Sequence, residues 1–207
     1  MKKISNFIFE NNPIFVMLLG MCSTLAASTT FEKSYLMGLS IFVVLFFTSI
    51  VVSLISRFIT DEIRIITYII VIATLVTVLE LLLKNYANLV YISLGIYLPL
   101  ITVNCLILGK ALSFFSKNKI KNSIKDSLRV GFQYLFSISL FGLIRELLGT
   151  GKITLMDNIS NLTGYKFIVD VFSNEYFINN LFITSAGAFI TLGFMIGFIN
   201  HFRKKED

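Results

Sequence analysis

The sequence predicts an all-α integral membrane protein: six transmembrane helices forming two inverted three-helix repeats within a single membrane domain, residues 1–207. Three observations carry that expectation. Hydrophobic residues make up 56% of the chain and charged residues 14%, with a mean hydropathy of +0.82, whereas soluble domains carry about 25% charged residues. Six stretches approach the roughly 20 apolar residues that a helix needs to cross a bilayer core. Finally, the short or Gly/Pro-interrupted stretches fall at corresponding places in two halves, the usual pointer to an inverted repeat with its site near the midplane.

The six stretches are Pro13–Thr30, Ser34–Ser56, Ile65–Leu83, Leu89–Phe115, Ser127–Leu148 and Leu181–Phe202. The first is the shortest and contains Gly20, Ser23, Thr24, Ser28 and Thr29, a composition that weakens a continuous apolar helix. The fourth is broken by Gly95, Pro99, Asn104 and Gly109. The repeats then cover residues 13–85 and 89–202, joined by a basic cytoplasmic linker at 116–125. Residues 149–180 are too polar to span and form an extracytoplasmic loop, in which Phe167-Ile168-Val169 and Val171-Phe172 suggest a short amphipathic helix resting in the interface. The amino-terminal segment carries Lys2, Lys3 and Glu10 and leads into apolar sequence without an Ala-x-Ala exit, so no cleavable signal peptide is expected.

Charge sets the orientation. With the amino terminus inside, thirteen Lys and Arg fall on the cytoplasmic side (Lys2, Lys3, Arg57, Arg64, Lys110, Lys117, Lys119, Lys121, Lys125, Arg129, Arg203, Lys204, Lys205) and five on the other (Lys33, Lys84, Arg145, Lys152, Lys166). The positive-inside rule then places both termini in the cytoplasm. Three spans per half force the second half to enter from the opposite face. The net charge of +6 lies at span ends rather than on one soluble face, which argues against nucleic-acid binding.

The two cysteines, Cys22 and Cys105, are the most informative reactive residues. A lone Cys in an apolar run usually acts as a small hydrophobe. Here, however, both thiols occur where the helical pattern is disturbed, at matching points of the two halves, and they would approach one depth from opposite faces. Two thiolates are half of a four-cysteine iron–sulfur site, so a second protein would supply the rest. Asn104, adjacent to Cys105, is a candidate hydrogen-bond donor to cluster sulfur, with helix packing through its amide as the alternative. Glu80 lies inside the third span and reads equally well as an ion-path acid or as a structural i,i+4 partner of Lys84. Arg145 and Glu146 close the fifth span, where an Arg snorkels or caps. His201 sits at the end of the last span and fits an interfacial position better than ligation. Gly149-Thr150-Gly151-Lys152-Ile153 lacks the Ser or Thr that must follow the Lys of a phosphate loop, so no nucleotide site is expected. No catalytic residue set is visible in this chain.

In chain order, Asn11-Asn12-Pro13, Leu19-Gly20-Met21-Cys22, Arg64-Ile65, Leu94-Gly95-Ile96-Tyr97-Leu98-Pro99-Leu100-Ile101, Asn104-Cys105, Gly109, Arg145-Glu146-Leu147-Leu148-Gly149-Thr150-Gly151 and Gly187-Ala188-Phe189 resemble one family across nearly the whole chain. It comprises the E-type membrane protein of the Rnf electron-transport complex and the D-type membrane protein of the sodium-translocating NADH:quinone reductase. The resemblance implies pairing with an oppositely inserted homologous partner of the A type, with one [2Fe-2S] cluster between them and two cysteines from each; Cys22 and Cys105 match the ligand positions. It further implies neighbouring B-, C-, D- and G-type Rnf proteins carrying clusters and flavins, electrons from reduced ferredoxin passing to NAD, coupled ion movement, and no complete active site in this chain alone. Gly95 to Asn104 is more like Rnf, while Cys22-Ser23 is more like the quinone reductase. Lys110 replaces the usual Arg, and Leu112 stands where Glu is common. The Lys- and Asn-rich linker suits acidic partners or anionic membrane lipid. A rival class, read from the broken helices alone, is an inverted-repeat secondary transporter without a redox cofactor.

Overall fold

Packing of small residues between two long helices organises the molecule. In the computed structural model the described residues are 19–150, 152–156, 167–170 and 184–203; Asn11-Asn12-Pro13, Val171-Phe172 and the terminal lysines lie outside them. The helices are α1 (Met21–Ala27), α2 (Phe31–Ile55), α3 (Arg64–Tyr86), α4 (Asn88–Leu94), α5 (Cys105–Lys110), α6 (Ile120–Thr150) and α7 (Ser185–Arg203). Stretches 31–55, 64–86, 98–115 and 120–149 are long and apolar enough to cross a membrane.

Helices α2 and α6 form the spine. Gly142 sits against Ser34, Gly38 against Ile138 and Leu135, and Gly131 against Phe42, while the Ser49 hydroxyl donates to Ser127 Oγ at 3.1 Å. Small residues let two apolar helices approach closely where water supplies no driving force. Thr30 caps α2, its hydroxyl accepting from the Lys33 amide at 3.4 Å, so this helix begins ahead of the expected Ser34. α3 buries one stripe, Tyr68, Ile72 and Val76, and turns Ile65, Ile66, Ile70, Val78, Leu81 and Leu82 outward. A one-sided apolar helix of this kind faces lipid or another protein of the membrane.

The expected interruption of the fourth stretch is present from Gly95 to Asn104. α4 ends at Gly95, a 3-10 turn covers Leu98–Ile101 with Pro99 near its start, and Asn104 is extended before α5 begins. Gly109, expected to interrupt as well, lies inside α5, which passes into a π-helical turn at Ala111–Phe115. The basic linker is likewise not a loop throughout. α6 takes in Ile120 to Asp126 because lysine is an adequate helix former, and apolarity alone marks only the later part. At 31 residues and 1.5 Å per residue it measures roughly 45 Å, longer than the bilayer core of about 30 Å. The Lys110 ammonium pairs with Asp126 at 2.9 Å, fastening the end of α5 to this first part of α6.

The described residues between 152 and 170 depart from expectation. Instead of an amphipathic helix, Lys152–Met156 (β1) pairs antiparallel with Phe167–Asp170 (β2), with an irregularity between Thr154 and Met156. Phe167-Ile168-Val169 is aromatic and β-branched, a composition that suits a strand, and the cross-strand ladder pairs one edge of its backbone with β1.

Candidate functional site at the paired helix breaks

Both cysteines occupy the first turn of a short helix: Cys22 is the second residue of α1, after the turn at Gly20, and Cys105, after the break from Gly95 to Asn104, is the first of α5. The two breaks touch. The Gly20 amide, two residues before Cys22, donates to Cys105 Sγ at 2.9 Å. Cys22 is exposed, Cys105 is partly buried, and both are free thiols.

Gly20 makes the first break. Its φ of +81° lies in the left-handed region, which glycine enters without steric cost. A β-carbon there would stand 2.7 Å from Tyr134 Cε2, so the close approach of α6 demands glycine a second time. Asn104 makes the other break and caps α5, its Oδ1 accepting from the Leu106 amide at 2.9 Å. Its Nδ2 donates to Ser23 Oγ at 2.8 Å, which is the helix-packing alternative for this amide rather than a bond to sulfur. The donor to sulfur is the Gly20 backbone.

Tyr134, fully buried on α6, completes the cluster. Its hydroxyl lies 2.8 Å from Ser23 Oγ, 3.1 Å from Thr24 Oγ1 and 3.3 Å from the Gly20 carbonyl. Ser23 and Thr24 both direct hydroxyl hydrogens to that carbonyl, at 3.0 and 2.9 Å, which leaves Tyr134 as a donor to their oxygens. Sequence reasoning missed this residue. The available signal was the polar pair Gln133-Tyr134 inside an apolar span, because a phenol there must find a partner.

The far end of α1 is also held. Arg145, buried on α6, donates to Ser28 Oγ at 2.8 Å, to the Leu25 carbonyl at 3.3 Å and to the Thr184 carbonyl at 2.7 Å. Glu146 accepts from the Phe31 amide at 2.7 Å. A cation therefore meets the carbonyl end of α1 and an anion the amide end of α2, both favourable to the helix dipoles. Arg145 thus caps a neighbouring helix rather than its own and does not snorkel. Glu80 is bonded not to Lys84 but to the Tyr91 hydroxyl, at 3.3 Å, and Lys84 lies over the Tyr91 ring at 5.9 Å. His201 is exposed.

Among the described residues no three His, Cys, Asp or Glu side chains gather to hold a metal ion. Free thiols at adjoining breaks, one exposed and one already accepting an N–H bond, are a donor set compatible with part of a shared thiolate site. With helices long enough to span a bilayer, these features define a multi-span membrane protein whose most reactive side chains sit at helix breaks. The chain belongs to the family described as "Rnf-Nqr subunit, membrane protein", which matches residues 1–196.

Its relatives agree. The chain is 40% identical over 195 residues to the E subunit of the ion-translocating oxidoreductase complex of Haemophilus influenzae strain PittGG, covering 93% of this chain and 82% of the relative. It is 38% identical over 205 residues to the E subunit of the Na(+)-translocating ferredoxin:NAD(+) oxidoreductase complex of Acetobacterium woodii, covering 99% and 98%. The E subunit of the ion-translocating oxidoreductase complex of Aliivibrio fischeri strain ES114 is 37% identical over 206 residues, with 98% and 89% covered.

Proposed function

We propose that this chain is the E-type membrane component of an ion-translocating ferredoxin:NAD oxidoreductase complex and holds half of an intramembrane [2Fe-2S] cluster through Cys22 and Cys105. The observation that carries the ligand assignment is the junction of the two breaks, where the Gly20 amide bonds Cys105 Sγ within two residues of Cys22. Near-complete coverage of relatives named as E subunits supports the Rnf type over the quinone-reductase type. When bound, such a cluster supplies one-electron transfer inside the bilayer. This chain's residues bind and orient: the thiolates ligate, the Gly20 amide stabilises sulfur charge, and the capped ends of α1 hold Cys22 in place. The exposed thiol of Cys22 faces the oppositely inserted A-type partner, which brings the other two thiolates. Six spans in two inverted repeats, with both termini in the cytoplasm, complete the arrangement.

Each part has a direct test. Purified alone, the protein lacks a stable cluster spectrum; copurified with its partner it shows one, and Cys22→Ser or Cys105→Ser abolishes or severely weakens it. Retention of the spectrum and of electron transfer in the double Ser variant would overturn the ligand assignment. Reporter fusions after Lys121 and at the carboxyl terminus read as cytoplasmic and a fusion near Asn161 as external, following the charge asymmetry. An external carboxyl terminus would reverse the orientation.

A further inference from the structure

Beside the contact between the Gly20 amide and Cys105 Sγ lies a buried polar network that joins α1, α5 and α6. α1 and α5 are separate short helices on distant parts of the chain, and their starts are joined by the Asn104 amide bonded to Ser23 Oγ at 2.8 Å. Ser23 is fixed in turn by Tyr134, whose hydroxyl lies 2.8 Å away. The same ring fills the space beside the Gly20 α-carbon. Ser23, Asn104 and Tyr134 are all buried, in a setting where unmade hydrogen bonds are costly and satisfied networks are rigid. This network reaches from α6 to the sulfur through the position of one peptide N–H.

We propose that Tyr134 is a positioning residue that, through Ser23 and Asn104, holds the Gly20 N–H on the Cys105 sulfur and so raises the reduction potential of the electron carrier ligated there. The inference rests on the cluster-ligand reading of Cys105. An N–H bond to a ligating sulfur stabilises the added negative charge of the reduced state, and hydrogen bonds to sulfur are among the determinants of cluster potential. Tyr134 itself neither ligates nor carries electrons. Its hydroxyl anchors Ser23, and loss of that anchor lets the start of α1 move away from Cys105.

The experiment is a redox titration of the intact complex carrying Tyr134→Phe, which keeps the ring and removes the donor, monitored by electron paramagnetic resonance. The cluster remains assembled, and its reduced-to-oxidised ratio at a fixed ambient potential falls roughly 3- to 10-fold, the worth of one net hydrogen bond. In 15N-labelled complex, the hyperfine coupling from the Gly20 amide to the reduced cluster weakens in parallel. Ser23→Ala, which removes the link to Asn104, shifts the potential in the same direction and is the variant to use should Tyr134→Phe fail to assemble. An unchanged potential in an assembled variant overturns the proposal whatever the coupling does. Failure of both variants to assemble also overturns it, since the network is then a folding element alone. A wild-type complex without a cluster, or Cys105→Ser with an intact one, instead overturns the ligand reading on which the proposal stands.

Discussion

The α2–α6 spine and the α1–α5 junction use glycine in opposite ways. In the spine, Gly38, Gly131 and Gly142 lie inside continuous helices and remove side-chain bulk so that apolar surfaces meet. At the junction, Gly20 opens α1 in a left-handed conformation and puts its own amide to use. The spine buries serines that mostly satisfy themselves locally, as Ser40 does with the Leu36 carbonyl at 3.0 Å. The junction instead pools its polar groups across three helices. The seam packs small residues helix against helix, and the node shares its hydrogen bonds among segments distant in sequence.

The largest expected effect separates the two regions. Gly20→Ala places a β-carbon against Tyr134 in a backbone conformation costly for alanine, a combined penalty of about 2–5 kcal/mol, and it displaces the amide from Cys105. The cluster spectrum is lost or strongly altered, as optical and paramagnetic spectra of the purified complex will report. A normal spectrum would show that the junction repacks as freely as the spine.

A smaller effect is expected within the spine. Gly142→Ala drives a β-carbon into the Ser34 side chain, but helix propensity returns about 1 kcal/mol against an overpacking cost of about 1–3 kcal/mol. Thermal unfolding shifts modestly while the cluster spectrum stays unchanged, and Ser34→Gly restores the loss. Absence of rescue would mean the seam is as exacting as the junction.

The smallest effect lies outside both regions. Glu80→Gln still offers an oxygen to the Tyr91 hydroxyl, so assembly, cluster and ion uptake into proteoliposomes remain near wild type. A fall in uptake with the complex intact would move Glu80 from a structural contact to the ion path.

Much of the spine was legible in the sequence and little of the junction was. Apolar length located α2, α3 and the later part of α6, because each buries or exposes hydrocarbon along its whole run. Gly95, Pro99 and Asn104 announced the second break by local chemistry alone. The partners across that break were not legible, since the contacts of Ser23 and Tyr134 join segments more than a hundred residues apart. The basic start of α6 was hidden because hydropathy registers where a helix meets lipid, not where it stops. The β1–β2 pair was hidden for a related reason: its apolar triplet is too short for periodicity to distinguish strand from helix. Asn104 stands out in the sequence as the neighbour of Cys105, yet which of its bonds forms depends on Ser23.

The paired grip of Arg145 and Glu146 on the α1–α2 turn also bears on biosynthesis. These charges lie near the end of α6, where an Arg costs an inserting helix less than the about 2.5–3.5 kcal/mol it costs at the centre on translocon scales. The turn that receives them is made more than a hundred residues earlier. Thus the α1–α2 turn, most of the receptor for these charges, emerges before α6, and the Thr184 carbonyl that completes it for Arg145 follows. The order of the chain lets the ribosome deliver most of the lock before the key.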